Sequence, residues 1–196
     1  MEQPTLRKEQ IYFAAGGLFS RKGYHATSVR DIARELNLQG GSLYAHIESK
    51  EDVLWEIVQR AASEFLQQVA PIADERAPAP DRLRRMIVEH IRIVTDRLED
   101  ATVFFHEWWF LAPERRDCIT LRRDEYEAAF RRVIEEGVAR SEFRAVDPRL
   151  TAVAVLSTVN GVYQWYRPDG PLSPTQIAES FAELFLHGLQ AQHTGG

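Results

Sequence analysis

The sequence predicts an all-α protein of about nine helices, a small N-terminal helical module followed by a larger helical body. Three observations predict it. The nine prolines sit near the N-terminus, at 71–80, at Pro113, at Pro148 and at 168–174, and leave long stretches between them uninterrupted. Within those stretches apolar residues recur three and four apart. Alternation at period two, the mark of a half-buried strand, is absent, and the β-branched residues lie inside helical stripes.

From about residue 5 to 21, Ile11, Ala14, Ala15, Leu18 and Phe19 recur at helical spacing, and Gly23 stops the run. In "ATSVRDIARELNL", Thr27 or Ser28 is placed to accept a first-turn N–H, and Asp31 supplies the acidic first turn. Val29, Ile32, Ala33 and Leu36 make the buried stripe of this short second helix. Asn37 to Gln39 form a turn. A third helix opens at the glycines of "GGSLYAHIESK", and Leu43 and Ile47, four apart, anchor it. "ESKEDVLWEIVQRAASEFLQQVA" starts again on Ser49 with Asp52 three residues on, then stays apolar at Val53, Leu54, Ile57, Val58, Ala61, Phe65 and Leu66 until Pro71. "PIADERAPAPD" is a linker by composition. Further helices are expected over about 81–98, 101–112, 114–140, 147–166 and 174–191.

Composition narrows the classes. No apolar run approaches the roughly 20 residues of a membrane span, and the N-terminus lacks the apolar core of a signal peptide. A single Cys118 excludes an internal disulfide, so a cytoplasmic protein without membrane attachment is expected. The chain carries net charge −5, yet residues 1–50 hold seven basic against five acidic side chains. A polyanion would therefore meet the N-terminal end.

Two short helices joined by a brief turn describe a helix-turn-helix, whose second helix enters the major groove of DNA by its N-terminal end. Gly40, Gly41 and Ser42 let the backbone approach closely there, each glycine lowering helix stability by about 1 kcal/mol relative to alanine. Tyr44, Ala45 and His46 lie on faces that can meet DNA, and Lys50 sits at a helix amino end that already favours phosphate. The stretch "GYHATSVRDIARELNLQGGSLYAHIESKEDVL" resembles the N-terminal signature of TetR-family transcriptional regulators. That resemblance covers about residues 8–55 and implies a DNA-binding domain over 1–50, with a ligand-binding and dimerisation domain over 51–196. By it, Thr27, Ser28, Tyr44, His46 and Lys50 are expected phosphate or groove contacts, while Gln39, Gly40, Ser42 and Ala45 lie nearest base edges. Gln39 stands where the family often has Ser, and Ile47 replaces a common Phe.

In the body, "TVFFHEWWFL" places Phe104, Phe105 and Trp108 on one side of a helix and Trp109 and Phe110 elsewhere. Such rings are either plain core or the lining of a cavity. His106 and Glu107 suggest a zinc-protease motif, but Phe110 occupies the second histidine's place, so no metal is expected. Asn160 and Gln164, four apart, put polar groups on an otherwise apolar helix, where they pair with each other, with a neighbouring helix, or face a ligand. The last helix is apolar at Ile177, Phe181, Leu184, Phe185 and Leu189. A homodimer through the last two helices covers that stripe and matches the two-fold symmetry of DNA half-sites.

"EWWFL", "RRDEYEAAFRRVIEEGVARSEFRAVDPRL" and "NGVYQWYRPDGPLSP" resemble the ligand domains of the acyl-CoA-responsive TetR branch, which controls fatty-acid, phenylacetate and steroid-ring degradation. This implies a repressor released by an acyl-CoA, with Phe104, Phe105, Trp108, Tyr126, Phe130, Asn160, Tyr163 and Gln164 as ligand-binding candidates. Arg115, Arg116, Arg122 and Arg123 are candidates for CoA phosphates by charge clustering, although helical pairing of Arg122, Arg123, Arg131 and Arg132 with nearby glutamates explains most of them. A regulator responding to drugs or flat aromatic effectors through Trp108, Trp109 and Tyr126 is the alternative. No Ser/His/Asp or Cys/His arrangement supports an enzyme, no cofactor is implied, and a nucleoid protein without an effector stays open.

Overall fold

The structure is a computed structural model that describes residues 4–38 and 43–189. Among the described residues there are helices and turns and no β-strand. The chain forms two compact units, residues 1–62 with 98–120, and residues 63–97 with 121–196.

The first unit opens with α1 (Pro4–Lys22), α2 (Val29–Glu35) and the beginning of α3 (Lys50–Gln68). It also takes in α5 (Leu98–His106), a 3-10 turn at Trp108–Phe110 and the beginning of α6 (Pro113–Ala139). α1 packs on α2 and α5. The stripe read from sequence is its core: Ile11, Ala15, Leu18, Phe19, Ile32, Leu43, Val53, Leu54 and Val58 are buried. α5 lies close on α1 because Gly16 and Gly17 leave a notch. A Cβ at Gly16 would stand 2.9 Å from Asp100 Oδ1, and one at Gly17 3.0 Å from Glu99 Oε2.

The second unit is organised around α4 (Ala79–Asp96), which packs on α9 (Pro174–Leu189), α7 (Pro148–Asn160), the short α8 (Val162–Trp165) and a 3-10 turn at Ala70–Asp74. α4 suits this central place. Leu83, Met86, Ile87, Ile91 and Val94 recur along one face and are buried. Its first turn is closed by Glu142, whose carboxylate accepts the Ala79 N–H at 2.6 Å.

Two helices differ from the sequence expectation. The stretch expected as a helix over 101–112 starts at Leu98 and ends at His106, where the chain tightens into the Trp108–Phe110 turn. The helix expected over 147–166 breaks at Gly161, whose N–H bonds the Thr158 carbonyl at 3.2 Å in a tighter i to i−3 step.

Candidate DNA-reading head and effector body

The head is assembled from local signals. Ser28, not Thr27, caps α2. Its Oγ accepts the Asp31 N–H at 3.1 Å while Asp31 Oδ2 accepts the Ser28 N–H at 2.9 Å, a complete capping box. α2 ends on Asn37 at φ +53°, with Leu38 N–H bonding Ala33 O at 2.8 Å and Asn37 N–H bonding Arg34 O at 3.1 Å. That is a Schellman ending, and asparagine tolerates its left-handed residue better than most side chains. Ser49 repeats the capping role for α3, accepting the Asp52 N–H at 3.1 Å. The Ser49 hydroxyl, and after it Arg115, hold the Asp52 carboxyl below its usual range.

Gln39, Gly40, Gly41 and Ser42 lie outside the described residues. Beyond them the Ile47 N–H bonds Leu43 O at 3.2 Å, one α-helical step, and both side chains are buried. This leaves Tyr44 61% exposed, Ala45 exposed and His46 half-buried. Ser28 is exposed as well.

Two expected DNA contacts, Thr27 and Lys50, make hydrogen bonds within the head. Thr27 is 1% exposed, and its hydroxyl donates to Gly23 O at 2.9 Å. The Lys50 ammonium donates to Tyr24 O and Thr27 O, both at 2.8 Å, and stands 4.2 Å from the centroid of the Tyr24 ring. Burial pulls its pKa below the ordinary lysine value. Glu107, read from sequence only as half of a failed zinc motif, is 5% exposed and accepts the Tyr24 N–H at 3.1 Å. Arg115 is equally committed to the head, bridging Glu51 at 3.2 Å and Asp52 from the start of α6. One signal could have pointed to Glu107: a carboxylate amid the apolar run of Val103, Phe104, Trp108 and Leu111 needs a donor from elsewhere.

The expected ligand contacts are divided between the units. Phe104, Phe105 and Trp108 belong to the first; Phe104 and Phe105 meet edge to face at 5.0 Å, and Trp108 lies on Trp109 at 4.1 Å. Trp109 is 61% exposed. Tyr126 and Phe130 are buried in the second unit, edge to face at 5.4 Å. The Tyr126 hydroxyl meets His90 Nδ1 at 2.9 Å, and Phe65 stacks on the His90 ring at 4.8 Å. Burial alone pushes the His90 pKa down to about 3, so the imidazole is neutral; burial, and after it the Glu89 charge, raises Tyr126 well above its ordinary value. His90 escaped the sequence reading because a lone histidine on an apolar stripe carries no motif. The expected polar stripe of Asn160 and Gln164 does not form. The break at Gly161 separates them, Asn160 is half-buried, and Gln164 is exposed with its amide donating to Tyr163 Oη at 3.4 Å.

Comparison with known proteins identifies these parts. Residues 11–57 match the N-terminal model of the bacterial regulatory proteins of the tetR family, and residues 76–189 match a tetracyclin repressor-like C-terminal domain. The chain belongs to the TetR family. The transcriptional repressor KstR2 of Mycolicibacterium smegmatis is 26% identical over 95% of this chain and 92% of its own. The TetR-family regulator PfmR of Thermus thermophilus shares 34% identity, with a TM-score of 0.85 over 92% of this chain and 99% of that one. The structure of AibR with isovaleryl coenzyme A and operator DNA shares 29% identity, with a TM-score of 0.83 over 91% of this chain and 97% of that one.

As a TetR-family member the protein is a DNA-binding transcriptional regulator, and its family and relatives are regulators and not enzymes. No described helix is long and apolar enough to cross a membrane. Among the described residues no cluster of His, Cys, Asp or Glu could hold a metal ion. Two of the four arginines named for CoA phosphates are engaged elsewhere: Arg115 pairs with Glu51 and Asp52, and Arg122 donates to Ser63 Oγ at 2.7 Å. A cleft of about 620 Å3 in the second unit is lined by Asp74, Glu75, Arg76, Arg82, Glu136 and Arg140. Glu136 pairs there with Arg82 at 2.7 Å and Asp74 with Arg132 at 3.3 Å, so charged side chains dominate its wall.

Proposed function

We propose that this TetR-family regulator is a homodimeric repressor that leaves its operator when an acyl-CoA or related hydrophobic ligand binds the helical body. The observation that carries the reading is the likeness over nearly the whole chain to AibR, whose structure holds both isovaleryl coenzyme A and operator DNA. The repressor KstR2, similar over 95% of this chain, supports the repressor part. The dimer is supported by Leu150, Val153, Trp165, Leu172 and Leu184, large apolar side chains left exposed along the last helices and their connection.

Within this reading Ser28, Tyr44 and His46 meet phosphates and Ala45 approaches a base edge, with Gln39 to Ser42 completing the reading surface. Lys50 keeps one N–H for a phosphate beyond the two it gives the head. Buried Tyr126 and Phe130, with His90 added, favour an effector that is apolar with one polar group. Phe104, Phe105, Trp108, Asn160 and Tyr163 remain candidates for further contacts. To empty the operator, the effector must prefer the released form by several kcal/mol.

Fluorescence polarisation of a labelled operator duplex tests this. Acyl-CoAs should release the protein, and free CoA should not. Release by dyes or drugs and by no acyl-CoA would overturn the effector assignment.

A further inference from the structure

We propose that Glu107 is a positioning residue that couples the segment 98–112 to the start of α2 in the head. Residue 24 is the second beyond α1, which ends before Gly23 at φ +84°. No helix claims its N–H, and Glu107 takes it. Its carbonyl is taken by Lys50, from the first turn of α3. An acid and a cation, 83 and 26 residues away along the chain, thus hold the two ends of one residue. Ser28, the cap of α2, follows four residues later, and Lys50 also holds Thr27 O just before it. A displacement of Glu107 would therefore reach the start of α2 through Tyr24, Lys50 and Thr27.

The other pins of this segment are more open to water. Arg21 reaches Glu99 at 3.3 Å with both side chains about half exposed, and Glu51 accepts the Ala112 N–H at 3.1 Å at a part-buried site. Exposed pins of this kind contribute little. Phe110 adds ring contacts, stacking on Tyr24 at 5.9 Å and meeting the His25 ring edge at 4.1 Å. Glu107 alone among these carboxylates is enclosed, and a buried carboxylate is retained only with its donor in place. A segment that needed packing alone would carry an apolar residue there.

That an effector moves this segment rests on the function proposed above; the link itself is tested with DNA. Coupling is reciprocal, so operator binding must change the segment 98–112 if Glu107 joins it to the head. The experiment is hydrogen exchange on peptides covering 98–112, with and without a duplex that the full-length protein selects from a random pool. In the unsubstituted protein the duplex should slow exchange there by roughly fivefold or more. In Glu107→Ala, still folded and DNA-bound, that change should vanish. A segment that does not respond in the unsubstituted protein, or responds equally in Glu107→Ala, overturns the proposal. Should Glu107→Ala fail to fold or bind, Glu107→Gln decides, because its neutral amide still accepts the N–H but with about half the strength. A reduced response then supports the link, and an unchanged one overturns it. Failure of acyl-CoA to release the operator would sink the effector assignment and leave this exchange result to be judged separately.

Discussion

Lys50 shows how one residue's chemistry depends on its neighbours. At a helix amino end it reads as a phosphate anchor, yet two of its three N–H donors close carbonyls inside the head. Lys50→Met would leave Tyr24 O and Thr27 O without that donor, and should lower stability by about 1–3 kcal/mol. Thermal or urea unfolding measures this; an unchanged midpoint would mean that water replaces the ammonium. His90 makes a second residue-scale prediction. Its folded pKa of about 3 lies below the ordinary 6.5, so the unfolded chain binds the extra proton between those values. Stability from this group is complete above pH 6.5 and falls as pH drops toward 3. Between about pH 7.5 and pH 5 the loss should be about 2 kcal/mol. Urea unfolding at both pH values should show that difference shrinking in His90→Phe.

At the scale of elements, local signals and close approaches behave differently. The caps of α2 and α3 were legible because Ser28 with Asp31 and Ser49 with Asp52 lie three residues apart, and that spacing alone satisfies the free N–H groups. The end of α5 was not legible. Aromatic periodicity ran through 110, but the chain turns after His106, where buried Glu107 reaches Tyr24 across 83 residues. Gly137 is a further element-scale contact. A Cβ there would lie 2.2 Å from the Phe143 ring and 2.9 Å from Ala79 Cβ, so α6 can pass these neighbours only without a side chain. Gly137→Ala should destabilise the second unit by about 1–3 kcal/mol, despite alanine's better helix propensity. Calorimetry showing a stabilised protein would refute the close packing.

For the whole molecule, the exposed apolar side chains of the last helices make oligomeric state the decisive property. Leu184 is 66% exposed on α9. Leu184→Glu should convert a dimer to a monomer in light scattering and weaken operator binding by on the order of 100-fold, because two linked half-sites reinforce each other. A substituted protein that stays dimeric would place the interface elsewhere. The division into units is also a whole-molecule property. The boundary expected at residue 50 follows from the motif, whereas the compact unit that holds the motif spans residues 1–62 with 98–120.

By itself the sequence determined the all-α class, the capped helices, the buried stripes and the TetR signature. Each depends on side chains within about four residues of one another, where helix geometry alone sets who meets whom. Tertiary structure alone decided that Lys50 and Glu107 hold Tyr24, that His90 meets Tyr126, and that residues 98–120 pack in one compact unit with residues 1–62. Those partners are separated by 26 to 83 residues, and at such distances a buried polar group takes whichever donor or acceptor the packing brings to it.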